Sequence, residues 1–252
     1  MSPEVIALLF AAGFLAGTMN AVAGGGTFVA LPALAAVGLP PTVANASSTV
    51  ALFPGAVASA WAYRRDMVPL EGVSLKGMMA VSLVGGLVGA VLLLVTSEQA
   101  FTQIIPWLLL LATLALAAGP RLGPALRRLG LRLGPRGVLA VQFFLGVYGG
   151  YFGGAVGLMM MATWTIFSTA DLRQMTPLRT LMLAAANGVA VICFAFSGQV
   201  AWAGTLAVMA GGIAGGFGGA RLGRRLPNWA LRALVLIITV ATTVRFFLKA
   251  YA

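Results

Sequence analysis

The stretch VIALLFAAGFLAGTMNAVAGGGTFVALPALAAVGLPP, residues 5–41, decides what kind of molecule this is. It carries no charge, and residues 5–39 drawn as one helix would measure about 52 Å at 1.5 Å per residue. A hydrocarbon core roughly 30 Å thick needs only about 20 apolar helical residues. The stretch is therefore too long for one crossing, and its middle is Gly24-Gly25-Gly26. Pro40-Pro41 closes it, because proline cannot extend a helical hydrogen-bond ladder. Residues 5–23 and 27–39 read as the two arms of a broken, re-entrant helical hairpin.

The same reading extends outward. Only 21 residues are charged, 16 basic and 5 acidic, and they leave six charge-free runs: 5–63, 77–97, 99–120, 137–170, 180–220 and 233–244. These runs hold 189 of the 252 residues, and the mean hydropathy is +1.00, so no water-soluble domain fits. In lipid only helices or a closed barrel satisfy the backbone, and continuous apolar runs lack the alternation of a barrel. The chain reads as an all-α polytopic membrane protein. Ordinary spans are expected at 42–63 (interrupted by Pro54-Gly55), 73–95, 100–118, 179–196, 200–220 and 229–250. The run 138–168 is a second broken hairpin, split by Gly149, Gly150, Gly153 and Gly154.

Composition excludes several functions. The net charge of +11 does not point to nucleic acid, since the basic residues flank apolar runs where orientation signals lie. The single Cys193 supports neither a disulfide framework nor a Cys-rich metal site and reads as a small buried hydrophobe. The start, M-S-P-E, lacks a basic n-region and reads as the beginning of the first membrane segment. Glu4, Asp66, Glu71, Glu98 and Asp171 all lie at segment ends and histidine is absent, so acid–base catalysis within the membrane has almost nothing to use. No cofactor or metal site is expected.

The second half repeats the first. GTMNAVAGGGTFV from Gly17 lies over GVYGGYFGGAVGL from Gly146, GGLVGA (85–90) over GGFGGA (215–220), and Pro54-Gly55 falls near Asn187-Gly188 if a few residues are inserted. Broken segments in matching positions point to a transporter binding site. Charge suggests how the halves relate. After the second element, half one carries Arg64, Arg65 and Lys76 while half two carries Ser197-Gly198-Gln199. After the third, half one has Thr96-Ser97-Glu98 and half two has Arg221, Arg224, Arg225 and Arg232. Opposite bias at corresponding loops is what inverted repeats require under the positive-inside rule. The expected organisation is a first repeat over 1–118, a basic cytoplasmic linker over 119–137 with Arg121, Arg127, Arg128, Arg132 and Arg136, and a second repeat over 138–252. Both termini are then non-cytoplasmic, and Arg245 and Lys249 fit that arrangement worst.

Neutral polar residues beside the breaks are the candidate ligand contacts. Breaks free backbone N–H groups, and a restarting helix end favours anions. Asn20, Gly24, Gly25, Gly26 and Thr27 form the first break, with Thr18 nearby; Gly153 and Gly154 form the second. Asn45, Ser47, Ser48 and Thr49 cluster early in the next span, with Thr180 in the matching region and Asn187 deep in the sixth element. Ser and Thr also bond their own helix carbonyls, and the 85–90 and 215–220 glycines read as packing surfaces. Arg179 is either an oxyanion ligand or an interfacial arginine reaching for headgroups. Trp61, Tyr63 and Trp229 read as interface anchors.

At these residues the sequence resembles the TauE/SafE family of sulfite exporters, also called toluene-sulfonate uptake permeases. The resemblance rests on NAVAGGGTFVALPALAAVGLPPTVANASSTVALFPGAVASAWAYRRD (20–66) and, more loosely, on YGGYFGGAVGLMMM (148–161) and AAANGVAVI (184–192). It covers essentially the whole chain, although Ala155 stands where the first half has Gly26. The resemblance implies a bacterial inner-membrane permease for sulfite, sulfoacetate or related organosulfonates. The reading is alternating access between inverted halves, with export favoured because an interior-negative potential pushes anions out and no carboxylate offers to bind a coupling cation. An anion channel, a cation-coupled importer, a membrane scaffold and, weakest, a membrane enzyme are the rivals. The expected partners are a small sulfur oxyanion and the lipid bilayer, with a homodimer as a plausible assembly.

Overall fold

Glycine and proline punctuation divides the chain nearly where the sequence places it. The computed structural model describes residues 1–252 except 23–24, 71, 129–133, 155, 169–171, 224–227 and 252, so Gly24, Ala155, Arg132, Arg224 and Arg225 lie outside the described residues. Among the described residues there are ten helices: α1 Pro3–Val22, α2 Thr27–Ala36, α3 Pro41–Ala62, α4 Leu75–Val95, α5 Glu98–Arg128, α6 Pro135–Phe152, α7 Val156–Phe167, α8 Leu172–Phe196, α9 Trp202–Gly223 and α10 Asn228–Tyr251. The two glycine breaks separate α1 from α2 and α6 from α7. At the second, Gly153 caps α6 in the left-handed region at φ 69°, a conformation that costs a residue with a Cβ.

Three boundaries differ from expectation. Helix α3 runs unbroken through Pro54. Helix α5 continues through Gly119 and Pro120 to Arg128, so most of the basic linker is helical. Helix α8 starts at Leu172, which places Arg179 two turns into the helix rather than at its first residue.

Four described stretches are long and apolar enough to cross a membrane: Pro3–Ala21, Leu75–Val95, Glu98–Ala118 and Gln174–Phe196. Three of them answer the spans expected at 73–95, 100–118 and 179–196, and Pro3–Ala21 is the first arm of the first broken hairpin. Helix α3, at 22 residues, has the length but is diluted by Thr42, Asn45, Ser47, Ser48 and Thr49, all of them buried. A helix surrounded by other helices does not need a lipid-compatible surface.

Glycine sets the closest approaches. Helix α1 packs on α9 and α4 packs on α6. A Cβ on Gly13 or Gly17 would collide with the Val208 or Gly212 carbonyl, and one on Gly211 or Gly215 with the Phe10 or Phe14 carbonyl. The α4–α6 crossing has the same form: Gly85 and Gly89 lie against the Phe143 and Val147 carbonyls, and Gly146 and Gly150 against those of Ser82 and Gly86. Small residues four apart let two backbones touch. The packing role expected for the glycines at 85–90 therefore holds for Gly85, Gly86 and Gly89, and Gly215 plays the same part in the second half.

These crossings also correct the register of the internal comparison. Gly13 and Gly17 occupy the places of Gly146 and Gly150, and Gly85 and Gly89 those of Gly211 and Gly215. The sequence comparison, which set Gly17 on Gly146 and Gly85 on Gly215, is one helical turn out. The cause is the motif itself: glycines spaced by four superpose on themselves after a shift of four. In the corrected register Gly55 falls on Gly188 without any insertion.

Buried polar groups beside these crossings are paired. Trp164 donates to Gln142 Oε1 (3.2 Å), Gln142 Nε2 to Ser82 Oγ (2.8 Å), and Ser82 Oγ to the Met78 carbonyl (2.7 Å). This chain ties α7 to α6 and α4 in a region where an unmet polar group would be costly.

Candidate functional site

Helices α3 and α8 meet at the centre of the bundle, with both breaks against them. Between these elements lies a cavity of ≈ 710 Å³. Asn20, Gly25 and Thr27 reach it from the first break, Gly153, Val156 and Gly157 from the second, Thr49 from α3, and Arg179, Thr180 and Asn187 from α8. Leu52, Ile213 and Phe217 give it an apolar wall. Sequence reasoning thus named most of the polar lining. It did not name Gly157, Ser59 or the α9 face around Gly212 and Gly216, which have no polar side-chain pattern of their own.

The cavity has a direction. It follows α3 from Thr49 through Pro54, Gly55, Ser59 and Ala62 to Tyr63, about 21 Å of helix at 1.5 Å per residue. That end adjoins Arg64, whose guanidinium lies 4.2 Å over the exposed Trp61 ring, as befits an interface anchor. The opposite end is tied shut. Glu98, opening α5, accepts from the Thr42 backbone N–H (3.3 Å to each carboxylate oxygen) and from the Thr42 hydroxyl. It thereby caps the positive N-terminus of α3. Ser47 Oγ accepts from the Ala201 N–H (3.0 Å), Asn45 Nδ2 donates to the Tyr151 carbonyl (2.9 Å), and Thr242 donates to the Phe28 carbonyl (3.1 Å).

These bonds divide the polar cluster of α3. Thr49 faces the cavity; Asn45, Ser47 and Ser48 do not line it. Ser48 and Thr49 both return a hydroxyl hydrogen to the Asn45 carbonyl (2.9 and 3.0 Å), the local back-bonding open to any helical Ser or Thr. Thr180 does the same to Pro177 (2.8 Å). Gly154 is buried against the Phe152 ring and is also outside the lining.

The first break keeps most of its backbone donors for itself. Gly26 N–H donates to Asn20 Oδ1 (2.7 Å), and the N–H groups of Phe28, Val29 and Ala30 turn back onto the Gly25 and Gly26 carbonyls (3.0 Å each). Asn20 therefore shapes the break from its own side chain as well as lining the cavity.

Arg179 is different. It is the only charged side chain among the described lining residues. Its Nε is buried and has no hydrogen-bond partner. Its aliphatic stem runs across the first turn of α7, with Cδ at 3.4 Å from where a Cβ on Gly157 would stand. A guanidinium beside a helix N-terminus is placed against charge of its own sign. Two like-signed groups facing one cavity, one with an unmet donor, have the chemistry that would suit an oxyanion. Among the described residues no group of three or more His, Cys, Asp or Glu could hold a metal ion.

Helices of this length, arranged around a central polar cavity with interrupted elements at its wall, define a multi-pass membrane transporter. The family model described as Sulfite exporter TauE/SafE matches residues 9–246. The chain belongs to the TauE/SafE family, a family of transporters and not of enzymes. It is similar to a probable membrane transporter protein of Haemophilus influenzae (28% identical over 243 residues, 96% of this chain and 94% of the relative). It is also similar to the probable membrane transporter protein YfcA of Escherichia coli K12 (29% over 250 residues, 97% and 90%) and to the probable membrane transporter protein ORF9 of a Sinorhizobium species (26% over 244 residues, 96% and 92%). No solved structure matches the chain.

Proposed function

We propose that this protein is a bacterial inner-membrane permease for small sulfur oxyanions, sulfite and organosulfonates such as sulfoacetate, working by alternating access. The observation that carries the reading is Arg179, the one charged group among the described lining residues of the central cavity, with an unmet buried donor. Its fork matches the planar pair of acceptor oxygens that an S–O₂ face presents. Thr49, Thr180, Asn187, Asn20 and Thr27 supply neutral polar surface around it, and the apolar wall of Leu52, Ile213 and Phe217 suits an organic substituent on sulfur. A volume of ≈ 710 Å³ lies within the ~300–1,000 Å³ common for small-molecule sites, more room than a bare inorganic anion needs.

The cavity opens beside Arg64 and Arg65, on the side that basic loops assign to the cytoplasm, and the far end is held by the Thr42–Glu98 and Ser47–Ala201 bonds. On this reading the structure is inward-facing. A repeat is supported by the exchange of packing partners, since α1 on α9 answers α6 on α4 with glycines at equivalent places in both crossings, and its inversion by the opposite charge bias of corresponding loops. With the substrate moving alone, the interior-negative potential carries an anion outward, which makes export the uncoupled direction. The test is flux of labelled sulfite, thiosulfate, sulfoacetate and sulfate in proteoliposomes, with and without an imposed potential. Saturable, exchangeable flux of a sulfur anion is expected. Absence of saturable flux for all four overturns the assignment, and flux that never saturates makes the protein a channel.

A further inference from the structure

The polar groups around the end of α6 do not suit an anion. Asn45 is fully buried, and because its Nδ2 donates to the Tyr151 carbonyl, its Oδ1 is fixed as the remaining atom and has no partner. The amide cannot be turned round, since that would set oxygen against oxygen. Asn187, only 8% exposed, also has an unpartnered buried Oδ1, and it lies 3.7 Å from where a Cβ on Gly149 would stand. Both orphan oxygens therefore sit at the last turn of α6, residues 149–152. The carbonyls of that turn have no helical donor ahead of them, and the helix end is the negative pole of its dipole. Thr49 Oγ1 adds a further oxygen, 2.8 Å from the Cβ position of Gly153.

We infer that the C-terminal end of α6, with Asn45 Oδ1, Asn187 Oδ1, Thr49 Oγ1 and the backbone carbonyls of that turn, is a binding site for a sodium ion. The donor set is oxygen only and entirely neutral, which suits a monovalent cation; calcium and magnesium sites draw on carboxylates. Val156 lies 3.3 Å from where a Cβ on Gly149 would stand and Thr49 Oγ1 2.8 Å from one on Gly153, so the two glycines let α7 and α3 close on the end of α6. Thr49 and Asn187 also line the central cavity, so an ion here shares two residues with the anion site while Arg179 stands two turns away along α8. The site rests on the permease reading for its consequence: one sodium moving with one monovalent anion cancels the transported charge, so the potential no longer sets the direction. This supplies a coupling cation without a carboxylate, the feature whose absence favoured export in the sequence.

Equilibrium binding of radioactive sodium to the purified full-length protein, with no sulfur anion present, tests the site separately from transport. Saturable binding that potassium and choline displace poorly is expected. Asn187→Leu should weaken it by at least about tenfold, as loss of a metal-site partner typically does. Asn187→Asp, which keeps the oxygen and adds charge, should retain or strengthen it; this second variant separates ligand loss from misfolding. No saturable binding would mean that the oxygens hold water and would overturn the site, as would equal affinity in wild type and Asn187→Leu. Sodium binding without flux of any sulfur anion would uphold the site and sink the substrate assignment. Flux without sodium binding would do the reverse.

Discussion

Replacing Arg179 by glutamine removes the one charge among the described lining residues of the cavity while keeping a side chain of similar reach. Each charge-assisted hydrogen bond contributes about 1.5–3 kcal/mol, and the guanidinium–oxyanion attraction at 4 Å is about 4 kcal/mol at an effective dielectric of 20. These overlap, and glutamine keeps an amide NH₂ with two N–H donors, so the net loss is about 3–4 kcal/mol. At 1.36 kcal/mol per decade this weakens substrate binding by about 10²–10³-fold. The unliganded protein should respond in the opposite sense. Arg179 Nε has no partner to lose, and a desolvated charge is removed, so thermal stability of the empty carrier should hold or rise. The assay is counterflow of labelled sulfite or sulfoacetate in proteoliposomes, fitted for KM and maximal rate, beside a melting curve of the purified variant. Arg179→Lys keeps the charge without the fork and should fall between the two. A KM within about threefold of wild type, or a clear drop in the melting temperature of the empty protein, would refute the reasoning, because Arg179 would then be a structural group.

Other consequences can be checked more simply. Gly89→Ala places a methyl group on the Val147 carbonyl and should destabilise the protein by about 1–3 kcal/mol, whereas Gly216→Ala, with nothing within 4 Å, should stay within about 0.5 kcal/mol in the same denaturation series. Asn20→Ala removes the acceptor of the Gly26 N–H and should cost about 0.5–2 kcal/mol, comparable to a lost cap, with Asn20→Asp close to wild type. In a Cys193→Ser background, which removes the one native thiol, Ser59→Cys should react with an impermeant maleimide from the cytoplasmic side. Thr42→Cys should resist it from both sides, and equal labelling at the two positions would show that the far end is not closed.

The sequence made the membrane class and both breaks legible, because length against bilayer thickness is arithmetic and glycine runs are unmistakable within apolar helices. Three things were hidden in it for physical reasons. The repeat register slid by one turn because glycines four apart look the same after a four-residue shift. For Arg179 the sequence left the oxyanion ligand and the interfacial arginine open, because the span was read as starting at 179 with Arg173, Gln174 and Pro177 before it, whereas α8 runs through them from Leu172. Asn45, Ser47 and Ser48 could not be told from Thr49, since α3 is covered by other helices for much of its length. Which of its polar groups meets the cavity and which bolts the far end depends on neighbours more than 50 residues away in sequence, such as Glu98, Tyr151 and Ala201.

The two glycine crossings carry one further consequence, for kinematics. Each joins the first helix of one half to the fourth helix of the other, at backbone contact and without side-chain slack. The halves are therefore interlaced like clasped hands, and neither can pivot as a unit while the other stays still. Any rigid body that moves must be a composite, α1 travelling with α9 or α4 with α6. The shorter pieces, α2 and α7, are bounded by the glycine breaks and are held to their neighbours by side-chain hydrogen bonds, Thr242 to the Phe28 carbonyl for α2 and Trp164 to Gln142 for α7. The first five and the last five helices are thus not two separate mechanical parts.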